Sequence, residues 1–437
     1  MESLSTLRSV NETTPVCSPK YAGIHEMKME LSLLLESLKF HMNCPDSQKT
    51  ALSGLATILL HSDEAKEIFR KCGGLLFVRT LLTSVDSEQV KVAAIYTLVC
   101  AIEHSMLSKK QLCDMSMFRF LYSQLVSEES RKQLKIFSSF VILCLVTNNS
   151  EGQMLVRTSH CLDVLVNMFR SNDFKNSLLQ PEDSHLLDEI KEEESSLKLW
   201  KGIASCLCGC VNNPQSVDNQ MICASAFPAA LSIIEKTCDQ DIIRLILSFI
   251  SLTVANNENN QERIGLIGGL NVLLQVFHNQ VKLLEVHPSR DAMQMMKHIA
   301  STIVSCIEDN EDNKLLIADL HITHLLLHAL SLDSVDTSTK SQLVNALVLC
   351  TESCEKSQKE FIEHNGVPSL VQLMANIQEE EFSKSATYLL HMCLDSQKSN
   401  STWMTPETFN DKQAVEKTTK QPYENVMSPV NYFGFVF

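Results

Sequence analysis

Glycine and tryptophan are scarce in this chain, which has 12 glycines and 2 tryptophans among 437 residues. Folds that cradle phosphates place glycines at G-x-G-x-x-G or Walker spacing directly after a strand. The sequence has neither spacing, and no stretch alternates apolar and polar residues for long enough to predict a strand. The shortage of glycine therefore argues against a nucleotide-binding α/β fold and directs attention to helical classes.

Basic residues are in the minority. Lys and Arg number 37 against 52 Asp and Glu, which gives a formal charge of −15. Affinity for nucleic acid comes largely from Lys and Arg that displace counterions from phosphates. The clearest basic group is Arg131, Lys132 and Lys135, which is typical of a solvated helix start. Direct DNA binding is therefore not expected of this chain.

Long apolar runs are also missing. The most apolar stretch, Leu245 to Ala255, is far shorter than the roughly 20 residues of a membrane helix, and the first residues do not look like a secretory signal. We therefore expect no transmembrane segment, and we expect the 16 cysteines to be reduced thiols of the cytosol or nucleus. Cys144, inside "SFVILCLV", is typical of a small core residue.

An internal repeat is present instead. A short apolar helix, a corner and a leucine-rich helix recur along the chain, and four of the six steps between corners are 43 to 45 residues long. The two longer steps contain "SNDFKNSLLQPEDSHLLDEIKEEE" and "VKLLEVHPSRD". The corners fall at Gly74, Met117, Cys161, Ala226, Gly269, His321 and Gly366.

A helical period of roughly 40–47 residues indicates an armadillo or HEAT array, in which stacked repeats share one continuous core. We predict an all-α, right-handed solenoid of about seven repeats over residues 62–396, capped by helices from 27 to 60. The array as a whole should span 25–397, with loops at about 171–194 and 281–291 and disordered tails at 1–24 and 398–437. The pair Gly268 and Gly269 is predicted to form a corner, where glycine tolerates positive φ.

Candidate metal or catalytic groups are weak. His321, His324 and His328 fall on one helix face, but without an evident fourth ligand for zinc. The cysteine groups, at Cys206, Cys208 and Cys210 and at Cys350 and Cys354, are typical of small packed residues, and the acidic run 188–194 of a solvated loop. No nucleophile, base and orienting group occur together. We therefore assign no catalytic, metal or cofactor-binding residue, expect no cofactor, and predict that the chain is not an enzyme.

Two resemblances to known protein families make the predicted fold and function more specific. "TVANNENNQERIGLIGGLNVLL" and "HNGVPSLVQLM" resemble the armadillo consensus, in which a polar turn precedes "GGIPALVxLL". Residues 25–397 more closely resemble a family of vertebrate meiotic telomere-attachment proteins, on segments such as "CGGLLFVRTLL", "FVILCLVTNN" and "CTESCEKSQ". "NNPQSVDNQM" is the most specific of these segments, because the armadillo consensus does not dictate its Asn and Gln spacing.

The resemblance implies a non-enzymatic scaffold for protein–protein assembly in meiosis. Its implied partners are the subunits of a meiotic telomere complex, shelterin and SUN-domain envelope proteins, with membrane association only through partners. Its implied location is the nucleus, at telomeres and the inner nuclear membrane, in homologous pairing and synapsis. Members of the family carry a Myb-like DNA-binding domain, and the residues after Asn400 have no basic helix or spaced tryptophans that resemble one.

A second function remains open, namely an armadillo-type adaptor that binds linear peptides in nuclear transport or another assembly. Peptide-binding armadillo proteins hold their ligand with an asparagine on each third helix. Counting four residues back from the polar turns places Cys144, Cys208 and Leu252 at that position, with Cys100, Val304 and Leu349 nearby. The missing asparagines disfavour this alternative.

Overall fold

The computed structural model describes residues 19–171, 187–308 and 310–399, and within these ranges every regular element is a helix. The chain divides into two compact units, residues 1–112 and 113–437. The helices follow the pattern predicted from the sequence, in sets of a short first helix, a second helix and a longer third helix.

The first unit has six helices in its described part. Leu31, Leu52 and Phe69 are buried at its centre, and the Thr97 hydroxyl donates to the Leu52 carbonyl at 3.1 Å between two helices. The helices are α1 (Pro19–Phe40), α2 (Pro45–His61), α3 (Asp63–Lys71), α4 (Gly74–Ser84), α5 (Glu88–Ile102) and α6 (Met106–Leu112).

The second unit contains the longer stack. Its third helices pack one on the next in chain order, and Phe169, Trp200, Phe227 and Phe249 form an aromatic core with ring centroids 5.2–6.2 Å apart. The helices of repeats two to four are α7 (Met115–Val126), α8 (Lys132–Val146), α9 (Ser150–Thr158), α10 (Cys161–Arg170), α11 (Leu187–Val211), α12 (Val217–Cys223), a 3₁₀ turn (Ala224–Ala226), α13 (Phe227–Ile234) and α14 (Gln240–Val254). Those of repeats five to seven are α15 (Glu258–Leu266), α16 (Gly269–Val286), α17 (Arg290–Ile307), α18 (Glu311–Asp319), α19 (Ile322–Ser331), α20 (Thr337–Thr351), α21 (Glu355–Glu363), α22 (Gly366–Asn376) and α23 (Glu380–Ser399).

From α3 onward the helices fall into seven consecutive sets of three, preceded by α1 and α2. This confirms the predicted class, an all-α solenoid of the armadillo type with about seven repeats.

The corners between first and second helices differ from the prediction in one detail. Gly268 has φ +79°, whereas Gly269 is the first residue of α16 with ordinary helical geometry. Gly269 is constrained sterically, because a Cβ there would lie 2.6 Å from Ile264 Cγ1. The residues at the equivalent corner position also have positive φ, namely Gly73, His160, His321 and Asn365.

Two predicted corners are built in another way. The corner at Met117 uses Asp114 as an N-cap, whose carboxylate accepts from the Met117 N–H at 2.9 Å. The corner at Ala226 is the last residue of a 3₁₀ turn. The repeat therefore conserves the change of direction and not one backbone conformation.

Buried amides tie the repeats of the second unit together. Gln220 Nε2 donates to the Leu252 and Ala255 carbonyls at 2.8 and 3.0 Å, at the end of the third helix of its own repeat. Its neighbour Asn219 donates backward to the Cys210 carbonyl at 2.8 Å and the Gln153 carbonyl at 3.1 Å. The Asn and Gln spacing of "NNPQSVDNQM" is thus explained by the carbonyls that each third helix leaves unpaired.

The same arrangement recurs in other repeats. Asn313 donates to the Gln261 and Cys306 carbonyls at 2.7 and 2.8 Å, and Gln261 donates to the Ser305 carbonyl at 3.0 Å. In the first unit the buried Lys66 takes this place and donates to the Glu103 carbonyl at 3.0 Å. Because buried polar groups are costly when unpaired, these positions fix the register of each repeat.

Several predicted boundaries need correction. The predicted loop at 281–291 is wrong, since α16 continues to Val286 and α17 begins at Arg290. Of the predicted loop at 171–194, residues 187–194 lie in α11, and 172–186 lie outside the described residues. The helices α1 and α23 extend to Pro19 and Ser399, into the predicted tails, and the rest of both tails lies outside the described residues.

In the described part of the chain, one stretch is long and apolar enough to cross a membrane, Val217–Ile234. It comprises α12, the 3₁₀ turn and α13, and 61% of it is buried within the protein. Its apolar character is accounted for by its place in the core of repeat four.

Candidate partner-binding face

The third helices of the second unit present equivalent positions side by side. Each can be numbered back from its own last residue, at Val211 in α11, Val254 in α14, Ile307 in α17 and Thr351 in α20. Because these helices pack in order on one another, residues at equal distances from the helix end form rows that cross the repeats. We call the partly exposed rows on α11, α14, α17 and α20 the third-helix face.

One row of this face is basic. Lys201, Arg244 and Lys297 each lie ten residues before the end of their helix, in three consecutive repeats. Their side chains are 15%, 33% and 15% exposed, so their aliphatic stems are covered while the charged ends remain at the surface. We call these three residues the basic row.

The basic row is held by aspartates at the starts of the third helices. Lys201 Nζ lies 3.9 Å from both Asp239 Oδ2 and Asp241 Oδ2, and Arg244 Nη1 lies 3.0 Å from Asp241 Oδ1. Asp239 also caps α14, because it accepts from the Asp241 and Ile242 N–H groups at 2.8 and 3.3 Å.

Lys297 is held in the same way by residues at the start of α20, the third helix of the next repeat. Its Nζ lies 4.0 Å from Asp336 Oδ1 and donates to Ser338 Oγ at 3.0 Å. Asp336 accepts from the Thr339 N–H at 2.7 Å. The carboxylates of Asp239 and Asp336 therefore accept from helix N–H groups. The ammonium groups of Lys201 and Lys297 lie 3.9 and 4.0 Å from these carboxylates.

The pKa of His298 depends on its burial and on the charged residues around it. Burial first, and then the charges of Arg244 and Lys297, lower the pKa of this imidazole. A like charge disfavours protonation of a neighbouring base. Arg244 and Lys297 therefore lie close enough to His298 to disfavour its protonation, in addition to the effect of burial.

The remaining rows on these helices contain small and polar residues, and also the two leucines Leu252 and Leu349. Six residues before the helix ends lie Ser205, Ser248, Ser301 and Asn345. Two residues before the ends lie Gly209, Leu252, Ser305 and Leu349. The Ser251 and Ser305 hydroxyls are hydrogen-bonded at 2.8 Å across two repeats.

The asparagine position predicted from the sequence is off by one residue in two helices. Cys208 and Val304 are 3% and 8% exposed and pack into the core, and the equivalent place is taken by Gly209, which is also buried, and by Ser305, which is half-buried. Cys144 and Leu252 keep the predicted register but are also buried. At all of these positions the side chain is something other than asparagine, so the interpretation that this face has no asparagine ladder is unchanged.

Charge differs between the two kinds of helix. The third helices α8, α11, α14, α17 and α20 contain nine Lys or Arg and seven Asp or Glu. The first helices α9, α12, α15, α18 and α21 contain five Lys or Arg and ten Asp or Glu. Cations thus outnumber carboxylates on these third helices, whereas the reverse holds on these first helices.

The basic group predicted at the start of α8 is partly engaged. Arg131 is the N-cap residue of α8, and Lys132 Nζ donates to Ser196 Oγ of α11 at 2.8 Å. The group therefore contributes to packing between third helices as well as to the surface.

The three histidines singled out in the sequence do not share a centre. His321 Nδ1 lies 2.9 Å from Glu360 Oε1, and His328 Nε2 lies 3.0 Å from Glu285 Oε1. His324 instead packs against His364, with ring centroids 4.3 Å apart and the rings tilted by 38°. Across residues 19–171, 187–308 and 310–399, no group of three or more His, Cys, Asp or Glu is placed to hold a metal ion.

The cysteine groups lie in the core. Cys206, Cys208 and Cys210 are buried in α11, and burial raises the pKa of Cys208 to about 12. Cys206 donates its S–H to the Ser139 carbonyl at 2.7 Å. Cys350 and Cys354 are buried as well, and burial raises the pKa of Cys350 to about 12. These thiols pack as small apolar residues and are poor nucleophiles.

Reasoning from the sequence missed the basic row. Its members are 43 and 53 residues apart, so no cluster of basic residues in the sequence joins the three. The signal was available in the helix register, since all three lie at the same distance from the end of a third helix.

The fold is shared with solved armadillo-type structures. A crystal structure of an engineered protein matches with a TM-score of 0.64 at 17% identity, covering 83% of this chain and 78% of that chain. A structure titled for the phosphorylation switch between cadherin and β-catenin matches with a TM-score of 0.56 at 15% identity, over 85% of this chain and 65% of that one. At such identities the likeness establishes the fold alone.

Sequence comparison identifies the relatives. The chain is 37% identical over 377 residues to telomere repeats-binding bouquet formation protein 1 of Mus musculus, covering 86% of this chain and 48% of that protein. It is 38% identical over 368 residues to the Homo sapiens protein of the same name, covering 84% and 49%. A Danio rerio relative is 32% identical over 368 residues, covering 84% and 43%. No family model matches the chain.

These relatives confirm the resemblance seen in the sequence. The chain spans about half the length of the curated relatives it matches.

Proposed function

We propose that this chain is a non-enzymatic scaffold that assembles proteins during attachment of meiotic telomeres to the inner nuclear membrane. The observation that carries this proposal is the 37–38% identity over 84–86% of the chain to proteins named for telomere bouquet formation. A stack of helical repeats also offers the extended surface that such proteins use for partners.

The partners follow from the same resemblance. We infer that the array binds components of the meiotic telomere complex, shelterin or a SUN-domain envelope protein, with the nucleoplasmic part of the SUN-domain protein as the first choice. The chain would then be located in the nucleus, at telomeres and the nuclear envelope, and its connection to the membrane would be indirect. Homologous pairing and synapsis would depend on this attachment.

The adaptor for basic nuclear-transport peptides is less well supported. Its ligands carry Lys and Arg, and the basic row of Lys201, Arg244 and Lys297 would repel them. The positions that hold an asparagine in such adaptors have Gly209, Leu252 and Ser305 instead.

The test is a capture experiment with the whole chain from meiotic tissue. The tagged chain is used as bait in a nuclear extract, and the bound proteins are identified by mass spectrometry. We expect telomere-attachment and envelope proteins to be enriched over an unrelated armadillo protein used as a matched bait.

Two further results decide the outcome. The tagged chain, expressed in meiotic prophase cells, should coincide with telomere signal at the nuclear rim. Recovery of basic-peptide transport cargo without attachment proteins would contradict the scaffold and favour the adaptor.

A further inference from the structure

The basic row is an unusual feature of this chain. With a formal charge of −15, a random distribution would leave few places where cations outnumber carboxylates. Three consecutive third helices nevertheless place a Lys or Arg at the same position. Since those positions are partly exposed, packing within the core does not require a charge there.

We propose that the basic row binds an extended acidic segment of a protein partner. This inference rests on the proposed function in one respect, namely that the array recruits a protein. It adds the surface, which is Lys201, Arg244 and Lys297 with the adjacent serines, and the chemistry of the ligand, which is a run of spaced Asp or Glu residues.

The spacing of the row suits an extended chain. Packed helices are about 8–10 Å apart, and an extended peptide advances about 3.3 Å per residue. Carboxylates two or three residues apart would therefore reach successive cations. Three repeats would accommodate a segment of roughly seven residues on these spacings.

The aspartate contacts leave the two lysines only loosely paired, whereas Arg244 donates to Asp241 Oδ1 at 3.0 Å. Lys201 and Lys297 meet their aspartates at 3.9 and 4.0 Å, and partly exposed ion pairs of this kind contribute little to stability. Asp239 and Asp336 are committed to helix N–H groups. They therefore hold the ammonium groups in position without neutralising them by close pairing.

The serine row supplies the second kind of contact. Ser205 and Ser248 are half-buried and Ser301 is exposed, each four residues beyond a member of the basic row on the same helix. Residues four apart lie on one face of a helix. The Ser205 hydroxyl donates to the Lys201 carbonyl at 2.9 Å, so its oxygen can accept from a peptide N–H, and the small size of the serines leaves room for a backbone to approach.

A spaced acidic peptide fits this face better than nucleic acid. A duplex presents a phosphate charge about every 1.7 Å along its axis, and Asp239, Asp241 and Asp336 lie beside the cations. Those carboxylates would repel a continuous line of phosphates, whereas separate carboxylates can meet the three cations singly.

The test uses the whole chain and a fluorescein-labelled nine-residue peptide with glutamates two or three residues apart in a Gly and Ser background. The variant K201Q/R244Q/K297Q removes the basic row. The matched control R263Q/K282Q/K359Q removes two lysines and one arginine from exposed positions on first and second helices. Thermal melting of all three proteins checks that each is folded.

We expect the acidic peptide to bind the wild-type chain and the control with equal affinity, and the basic-row variant at least tenfold more weakly. A peptide with lysine in place of glutamate should not bind. Binding should weaken as salt rises from about 50 to 300 mM, because exposed charges are screened.

Equal binding by the two variants, no binding to the wild-type chain, or equal binding of the lysine peptide would overturn the proposal. Duplex DNA that binds the wild-type chain and is lost with the basic row would assign this face to nucleic acid instead. Because the peptide assay needs no meiotic partner, its failure beside a successful capture experiment would leave the scaffold function standing.

Discussion

Single residues explain why the corners of this array accept such different sequences. The left-handed position is Gly at 73 and 268, His at 160 and 321, and Asn at 365. Asn and His enter this conformation more readily than other non-glycine residues. The next residue carries a different constraint, since at Gly269 and Gly366 a Cβ would lie 2.6 Å and 2.5 Å from the side chain of Ile264 or Phe361.

This division predicts different tolerances at the two glycines. Gly268→Val should lower the free energy of unfolding by about 1–3 kcal/mol, because φ is +79° there and a β-branched residue is strained in that conformation. Gly268→Asn should cost clearly less. Chemical denaturation of the three proteins checks this order, and equal losses for Val and Asn would contradict the backbone explanation.

Asn313 provides the second prediction at this scale. Its amide donates to carbonyls of two different helices in the preceding repeat, so Asn313→Ala leaves both without that donor. We expect a loss of about 1–3 kcal/mol, the usual cost of an unsatisfied buried polar group. Asn259→Ala, at an exposed site in α15, is the matched control and should be nearly neutral in the same denaturation series. A similar loss in both variants would show that the buried bonds do not matter.

At the scale of helices, the sequence predicted existence and order well and boundaries less well. The leucine spacing and polar turns identify seven sets of helices, because each helix must bury one face against the next. Pro288 and the polar residues around it predicted a loop of eleven residues, but Gln280, Val281 and Leu284 are buried and keep α16 helical to Val286. Tertiary packing therefore overrides the local signal.

The third-helix face was harder to predict from the sequence. A cation at the same position of three helices becomes visible only when the helix ends are known to about one residue. The count that placed Cys208 and Val304 on the face was off by one, and one residue turns a side chain by about 100°. The basic row on the same helices was not predicted.

His298 supplies a prediction about pH at the level of α17. Its pKa is lowered in the folded state by burial beside Arg244 and Lys297, so the unfolded chain takes up a proton first as pH falls. The free energy of unfolding should therefore decrease as pH falls below about 6.5, the usual value for the unfolded imidazole. It should stop decreasing on this account once the pH is below the folded-state pKa.

The measurement is urea denaturation of wild type and His298→Gln from pH 7.5 to 5. The variant should lose less stability over this range than the wild type. His287→Gln, in the exposed connection before α17, serves as the control for removing an imidazole. An unchanged pH dependence in His298→Gln would contradict the assignment of this effect to His298.

At the scale of the whole molecule, the distribution of charge matters more than its sum. A net charge of −15 alone would suggest basic ligands. The third helices α8, α11, α14, α17 and α20 carry nine cations and seven carboxylates, whereas the first helices α9, α12, α15, α18 and α21 carry five and ten. This difference bears on binding, because complementary charge steers association and suppresses wrong partners.

The last prediction concerns binding to DNA, because the relatives are named as telomere repeats-binding proteins. We expect this chain by itself to show no sequence-selective binding to duplex telomeric repeats at about 150 mM salt. Nonspecific binding needs several simultaneous phosphate contacts that release counterions, and the basic row offers three cations with aspartates beside them. A fluorescence anisotropy titration of labelled duplex, against a scrambled duplex of equal length, measures this directly. Submicromolar affinity with preference for the telomeric sequence would contradict the prediction, and the K201Q/R244Q/K297Q variant would then show whether the third-helix face is responsible.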